Sequence, residues 1–261
     1  KAFTIEQVRF EASAGSLVVA VQASVVFRGC QWLGVPGRSG VDASGGSTVN
    51  PVFIDCQGLG NPAAQSWFRG VAPAIARPNF RGCDFSGYSG AASIITDTGL
   101  QISWGRMESC RFLSTTNTTW LVDLPFAEHW KVSHCYLFLF DGGGMRINAS
   151  FVSDNYFDGE LVAGQTALEL MTGAAQDNEL INASVSIFAS AGFLPWNMIV
   201  GNEIAGDVGV RNNTGGVLVF GNAFGCITAD VDLNGTGGNT VIGNYLSTII
   251  GDTAIDLIFG N

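Results

Sequence analysis

Apolar residues recur along this chain in short alternating bursts, broken by Gly, Asn, Asp and Ser. Pairs two apart include Val122/Leu124, Met145/Ile147, Leu168/Leu170, Val185/Ile187, Val208/Val210, Val231/Leu233 and Ile255/Leu257. A period of two with β-branched and aromatic residues predicts short strands, apolar side inward. A second pattern lies over the first. "VLVFGNAFG" at 217–225 has close relatives in "MIVGNEIAG" before it and "TVIGNYLS" after it, and "VVFRGCQWLG" shares its form with Cys in place of Asn.

With that Cys or Asn as position zero, the series is Cys30, Cys56, Cys83, Cys110, Cys135, Asn155, Asn178, Asn202, Asn222 and Asn244, spaced by 20 to 27 residues. Three residues earlier stand Phe27, Phe53, Phe80, Met107, Val132, Val152, Ala175, Ile199, Val219 and Val241, all apolar. Two residues later the position is apolar in every copy but one, where Gly58 stands. The residue just before zero is mostly Gly, Asp or Ser, which favour turns. A period of this length admits a leucine-rich repeat or a parallel β-helix. Short β-branched segments broken by Gly and Asn favour strands and hence the β-helix.

The fold class expected is therefore all-β: about ten coils with three short strands each, rising roughly 48 Å at strand spacing. One domain fills residues 1–261, with wider, irregular coils over about 1–135 and narrow, regular ones over about 136–261. Longer insertions fall at 34–50, 58–77 and 192–198. The chain begins and ends inside the apolar pattern, so we expect it to be a piece of a longer protein. The repeat resembles the single-stranded right-handed parallel β-helix of pectate-lyase-like proteins, over essentially the whole length. In that family asparagines at one bend stack into a ladder, which implies a ladder at Asn155, Asn178, Asn202, Asn222 and Asn244. An Asn at such a bend tolerates left-handed backbone, and its amide satisfies buried polar groups of neighbouring coils.

Five of the six cysteines occupy the same column, which predicts a stack of free thiols packed as small apolar groups. Parallel Cβ vectors aim them poorly for disulfides. No Cys-x-x-Cys occurs and only His129 and His134 are available as histidines, so no metal and no other cofactor is expected. Net charge is −10, with 13% charged and 47% hydrophobic residues. That balance argues against a nucleic-acid partner, which requires clustered cations. Without an apolar run of about 18 residues, no membrane insertion is expected.

Function on such a scaffold belongs to its outer faces. The outward row of the first strand reads Asp123, Arg146, Glu169, Ser186, Gly209, Asp232, Asp256. Asp123 and Glu169, two coils apart, have the rough spacing of an acid and a base in an inverting glycosidase, and are the candidate catalytic pair. Arg146 between them, with Trp104 and Trp120 as flat faces, would bind substrate. The competing reading is a cross-strand charge ladder with no chemistry. Asp55, Asp154 and Asp177 read as turn formers, His134 as a turn residue, and Trp67, Trp130 and Trp196 as packing. Glu179 and Glu203 face outward on consecutive coils, either as a second acidic patch or as solvated side chains. The Asn-x-Asp, Asp-Asp, Gly-His-Gly and Arg-x-Lys motifs of polygalacturonases are missing, and "RPNFR" at 77–81 is out of frame for a pectate lyase.

Abrupt ends, Gly/Asn/Ser-rich loops and low charge resemble the β-helix domains of bacteriophage tailspikes and tail fibres. That resemblance implies a virion-borne, extracellular homotrimer whose partner is host surface polysaccharide, bound and in many cases cleaved. Two alternatives stand beside it: a structural spacer without a ligand, and a secreted bacterial polysaccharide lyase or hydrolase.

Overall fold

The computed structural model describes residues 3–11, 19–21, 24–33, 40–43, 48–63, 66–70, 75–90, 92–97, 102–113, 119–148, 150–160, 162–190, 197–213, 215–233, 238–245, 248–251 and 257–259. Among them every element is a β-strand and every strand pairing is parallel. Each strand pairs with the equivalent strand one coil on, which makes a single-stranded parallel β-helix. This agrees with the fold read from the pattern, and the right-handed sense is consistent with it.

One sheet holds the strands that enter the Cys/Asn corner, and we term it the entry face. It contains twelve strands, from Phe3–Glu6 to Leu257–Phe259. The coil count therefore differs slightly from ten. The strand at Phe3–Glu6 leads into a corner at Gln7 and Val8, and Leu257–Phe259 belongs to the entry face. This corrects the placement of Leu257 in the first-strand pattern; Ile255 lies outside the described residues. The front strand of that level is Ile249–Gly251, paired to Ala229–Leu233.

The strands leaving the corner (exit face) and those after them (front face) join into one sheet of nineteen strands. They merge because Glu179–Ala189 and Glu203–Asn212 run unbroken from one face to the other. In the upper half a fourth side is added. Thr48–Val49 pairs with Ile75–Ala76, and bridges continue it from Ala76 to Ile102 and from Ser103 to Glu128. The coils that carry these pairings have one side more than the others described.

The wider interior is filled with rings. Phe27, Phe53 and Phe80 stack with centroids 5.1 and 5.0 Å apart and planes within 11° of parallel. Trp67 stands edge-on against Phe53. Trp130 is buried and donates its indole N–H to the Ile102 carbonyl at 3.3 Å. Both tryptophans are packing residues, as expected; Trp196 lies outside the described residues. Lower down the same column narrows to Val152, Ala175, Ile199, Val219 and Val241, all buried.

The chemistry of the corner is shared by two residues. The left-handed residue is the one before position zero: Gln7, Gly29, Asp55, Gly82, Ser109, His134, Asp154, Asp177, Gly201, Gly221 and Gly243 all have φ between 51° and 67°. The Cys or Asn itself is not left-handed, a correction to the expectation above. Gly, Asp and Ser in the preceding slot therefore carry the conformational requirement, and the following residue is free to be chosen for its inward side chain.

That side chain forms the ladder. Each Asn Nδ2 donates to the Oδ1 of the next Asn at 2.9 Å, from Asn155 through Asn178, Asn202 and Asn222 to Asn244. The same Oδ1 accepts the backbone N–H of the preceding ladder residue at 2.8–3.0 Å. The thiols mimic half of this pattern. Cys56 donates to the Phe27 carbonyl and Cys83 to the Phe53 carbonyl, each at 3.5 Å. The asparagines use the equivalent carbonyls of Val132, Val152, Ala175, Ile199 and Val219. All six cysteines are free thiols. Donation of the Cys56 S–H to Cys83, together with burial, raises the Cys56 thiol far above its usual range, and burial raises Cys226 to about 11.

Candidate functional site

The front face carries the charged row, and the structure corrects its lower part. In register, the row runs Asp42, Arg69, Thr96, Asp123, Arg146, Glu169, Phe188, Arg211, Asp232, Ile250. Ser186 and Gly209 do not belong to it, and Ser186 is fully buried. Asp232 faces Ile250 on the next coil and is ion-paired to Arg211 at 3.0 Å. It is therefore not stacked on a like charge; Asp256 lies outside the described residues. The slip arises because the true inward slots hold Ala189 and Asn212, weak apolar signals, with Asn212 bonded to Asn239 at 2.7 Å.

Asp123, Arg146 and Glu169 do stand on three consecutive coils. Leu121, Val122 and Leu124 point inward, leaving Trp120 and Asp123 outward on the strand Trp120–Leu124. Arg146 grips Asp123 with two hydrogen bonds, Nε at 2.7 Å and Nη2 at 3.0 Å. This bond is the main reason the Arg146 pKa is raised. Glu169 accepts the Ser190 hydroxyl at 2.5 Å. The Arg146 guanidinium also lies 5.8 Å from the Trp120 ring centroid, within cation–π range. Beside it opens a groove of 320 Å³ lined by Thr119, Trp120, Asp141, Gly142, Gly143, Ala163, Gly164 and Thr166. Gly143 is required beneath the indole, because a Cβ there would collide with the Trp120 ring.

Trp104 is not brought to this place. Although 60% exposed, it sits on the fourth side, stacked on His129 with centroids 4.1 Å apart. Its neighbour Ser103 bridges to Glu128 rather than to any front strand.

The pattern gave no hint of Asp97. It follows Thr96 in the row above Asp123, is 6% exposed, and neither carboxyl oxygen has a hydrogen-bond partner meeting full geometry among the described residues. Burial, and next the charge of Asp123, raise its pKa to about 7; the Phe126 backbone amide and Arg146 pull the other way. A buried acid thus lies beside a part-buried acid whose oxygens are both held by an arginine. Asp97 is shielded from solvent and coupled by charge to Asp123 and Arg146. Among the described residues no three His, Cys, Asp or Glu side chains converge as a metal site.

The entry face changes character at the level where Cys gives way to Asn. Above, its outward positions include Arg28, Arg81, Arg106, Glu108 and Lys131, with Arg81 and Arg106 both bridged to Glu108. Below, two register rows read Phe151–Ala174–Met198–Leu218–Thr240 and Ser153–Gln176–Val200–Phe220–Ile242. Neither lower row holds a charge, and Phe151, Met198 and Phe220 are 38–48% exposed.

Comparison with family models, curated proteins and solved structures found no match for this chain.

Proposed function

We propose that the chain is a glycan-recognising β-helix domain of the bacteriophage tailspike or tail-fibre kind, carried outside the cell on the virion. Host surface polysaccharide is its ligand and a homotrimer its working form. The observation that carries this reading is the front groove: an indole laid over a bare glycine, with the Arg146 guanidinium 5.8 Å from that indole and itself paired to Asp123. A flat ring beside fixed donors and acceptors matches a sugar, which has apolar faces and a hydroxyl rim. In cleavage, Glu169 serves as one carboxylate and Asp123 as the other, with Arg146 holding Asp123 and an anionic sugar. With the purified domain on capsular polysaccharide or lipopolysaccharide, the expected result is binding together with release of reducing ends. Asp123→Ala and Glu169→Ala each abolish that release. Full activity in both variants removes the site, and neither binding nor cleavage on any host glycan removes the reading.

The apolar half of the entry face favours self-association, which the spacer reading shares. Exposed apolar side chains gathered on one uncharged face mark an interaction surface. Copies placed side by side with parallel axes set the uncharged stretch against the same level of a neighbour. An antiparallel copy would set it against Arg28, Arg81 and Arg106. Phe220→Glu at the centre of the patch is expected to shift the chain from trimer to monomer in sedimentation velocity. An assembly indifferent to that charge places the interface elsewhere.

A further inference from the structure

The exit face carries a second groove, of 430 Å³, lined by Arg111, Tyr136, Phe138, Tyr156 and Asp158. It is built by the first and third residues after three successive corners. In register its first row reads Arg111, Tyr136, Tyr156, Glu179, Glu203. Tyr136 is 55% exposed, and its ring centroid lies 6.1 Å from that of Tyr156, with the planes tilted by 44°. The two rings form a ledge that spans one coil. Phe138 completes it, capped by the Arg111 guanidinium 4.9 Å from its centroid. At the other side Asp158 accepts the Asn182 amide at 2.9 Å and meets the Tyr156 hydroxyl at 3.4 Å.

We propose that this groove is a separate binding site that stacks a neutral oligosaccharide on Tyr136 and Tyr156. Its volume is at the small-ligand end of binding sites and too confined for a protein partner, which needs about 800 Å² on each side. A nucleic acid would meet one cation, Arg111, and three acids, Asp158, Glu179 and Glu203. The same acids repel an anionic headgroup or a uronic acid. What remains is an uncharged molecule with apolar faces and hydroxyl edges: ring faces lie on the phenols, and hydroxyls reach Arg111, Asp158 and Asn182. This site lies on a different face from Asp123 and does not depend on the front groove.

The test titrates the whole chain, labelled with 3-fluorotyrosine, with cellohexaose, maltohexaose, isomaltohexaose and mannohexaose, and with hexagalacturonate as the anionic counterpart. At least one neutral hexasaccharide is expected to shift the fluorine resonances of Tyr136 and Tyr156, while hexagalacturonate leaves them in place. Tyr136→Ala and Tyr156→Ala each weaken that binding about tenfold or more, and Tyr136→Phe retains most of it. Tyr136 is largely exposed, so its variants are expected to fold, and the unfolding midpoint checks each variant, Tyr156→Ala included. Failure of every neutral hexasaccharide to move the two resonances overturns the proposal. So does binding that withstands both alanine substitutions, or a preference for hexagalacturonate.

Discussion

Asn202→Ala is expected to destabilise the chain by about 3–5 kcal/mol in urea unfolding, far more than an ordinary polar-to-alanine change. Asn202 sits at the centre of the ladder and is 1% exposed. Its Oδ1 accepts both the backbone N–H and the side-chain Nδ2 of Asn178, each at 2.9 Å. Its Nδ2 donates to the Ala175 and Val200 carbonyls and to Asn222. Alanine removes all five bonds and leaves buried partners unpaired on the coils above and below, at about 1–3 kcal/mol for each stranded group. Asn202→Cys separates the two halves of the role. A thiol can still donate to the Ala175 carbonyl, as Cys83 does to Phe53, but it is a weak acceptor for the two Asn178 donors. Its cost is expected to fall about midway. Hydrogen exchange should report the loss as faster opening at residues 178, 202 and 222, because coils of a solenoid are stabilised chiefly by their neighbours. Equal stability of the alanine and parent chains would mean that the ladder is an ornament of the corner and not a support.

The same comparison explains why two residue types share one column. Where the interior is wide, stacked rings from Phe27 to Phe80 supply the burial, and the corner requires only a small side chain that can reach one carbonyl. Where the interior narrows to Val and Ala, less apolar volume is available per coil, and the corner gains a continuous amide network in its place. The exchange from ring stack to amide ladder falls at Cys135, whose N–H is the first to be taken by an Asn, Asn155, at 2.8 Å.

The corners were legible because every coil repeats a hard constraint there. One residue must adopt positive φ, and the next must place a small or amide group inside. Such demands leave a mark in sequence even when strands vary. The front-face row was legible only where its inward partners were large. Val122/Leu124, Met145/Ile147 and Leu168/Leu170 fixed Asp123, Arg146 and Glu169 correctly. Beyond Glu169 the inward slots pass to Ala189 and Asn212, and the bend between exit and front faces absorbs an extra residue at Asn182, with φ 54°. Nothing chemical marks that bend, so the register slipped to Ser186. Tyr136 and Tyr156 were in plain view, one residue past Cys135 and Asn155. Their meaning depended on knowing that consecutive coils set them side by side. Asp97 could not have been singled out, since its burial comes from a coil away in sequence.

Asp97→Asn is expected to change how stability depends on pH. The folded chain holds the Asp97 carboxyl at about 7, against an ordinary value near 3.8. Between those values the folded state keeps a proton that the unfolded state has released, so this group's contribution falls as pH rises from about 4 to 7 and levels off above. The slope is at most about 1.4 kcal/mol per pH unit. Asparagine has the same shape and no charge to bury. The variant and parent should therefore be similar in stability near pH 4 and diverge upward through pH 7, the variant being the more stable by at least about 1 kcal/mol at pH 8. Urea unfolding at each pH unit from 4 to 8 measures the difference between the two chains and cancels the titration of the remaining acids. Parallel curves would place Asp97 among ordinary surface carboxylates. The consequence reaches the front groove. With Asp97 protonated, Asp123, Arg146 and Glu169 sum to a single negative charge; with Asp97 ionised the cluster carries two. An anionic glycan held by Arg146 should then bind more weakly above pH 7 than below it in the parent, and that dependence should disappear in Asp97→Asn. The substitution thus relieves a buried charge and at the same time removes a pH response from the site, the pairing expected of a group placed behind a binding surface and not within it.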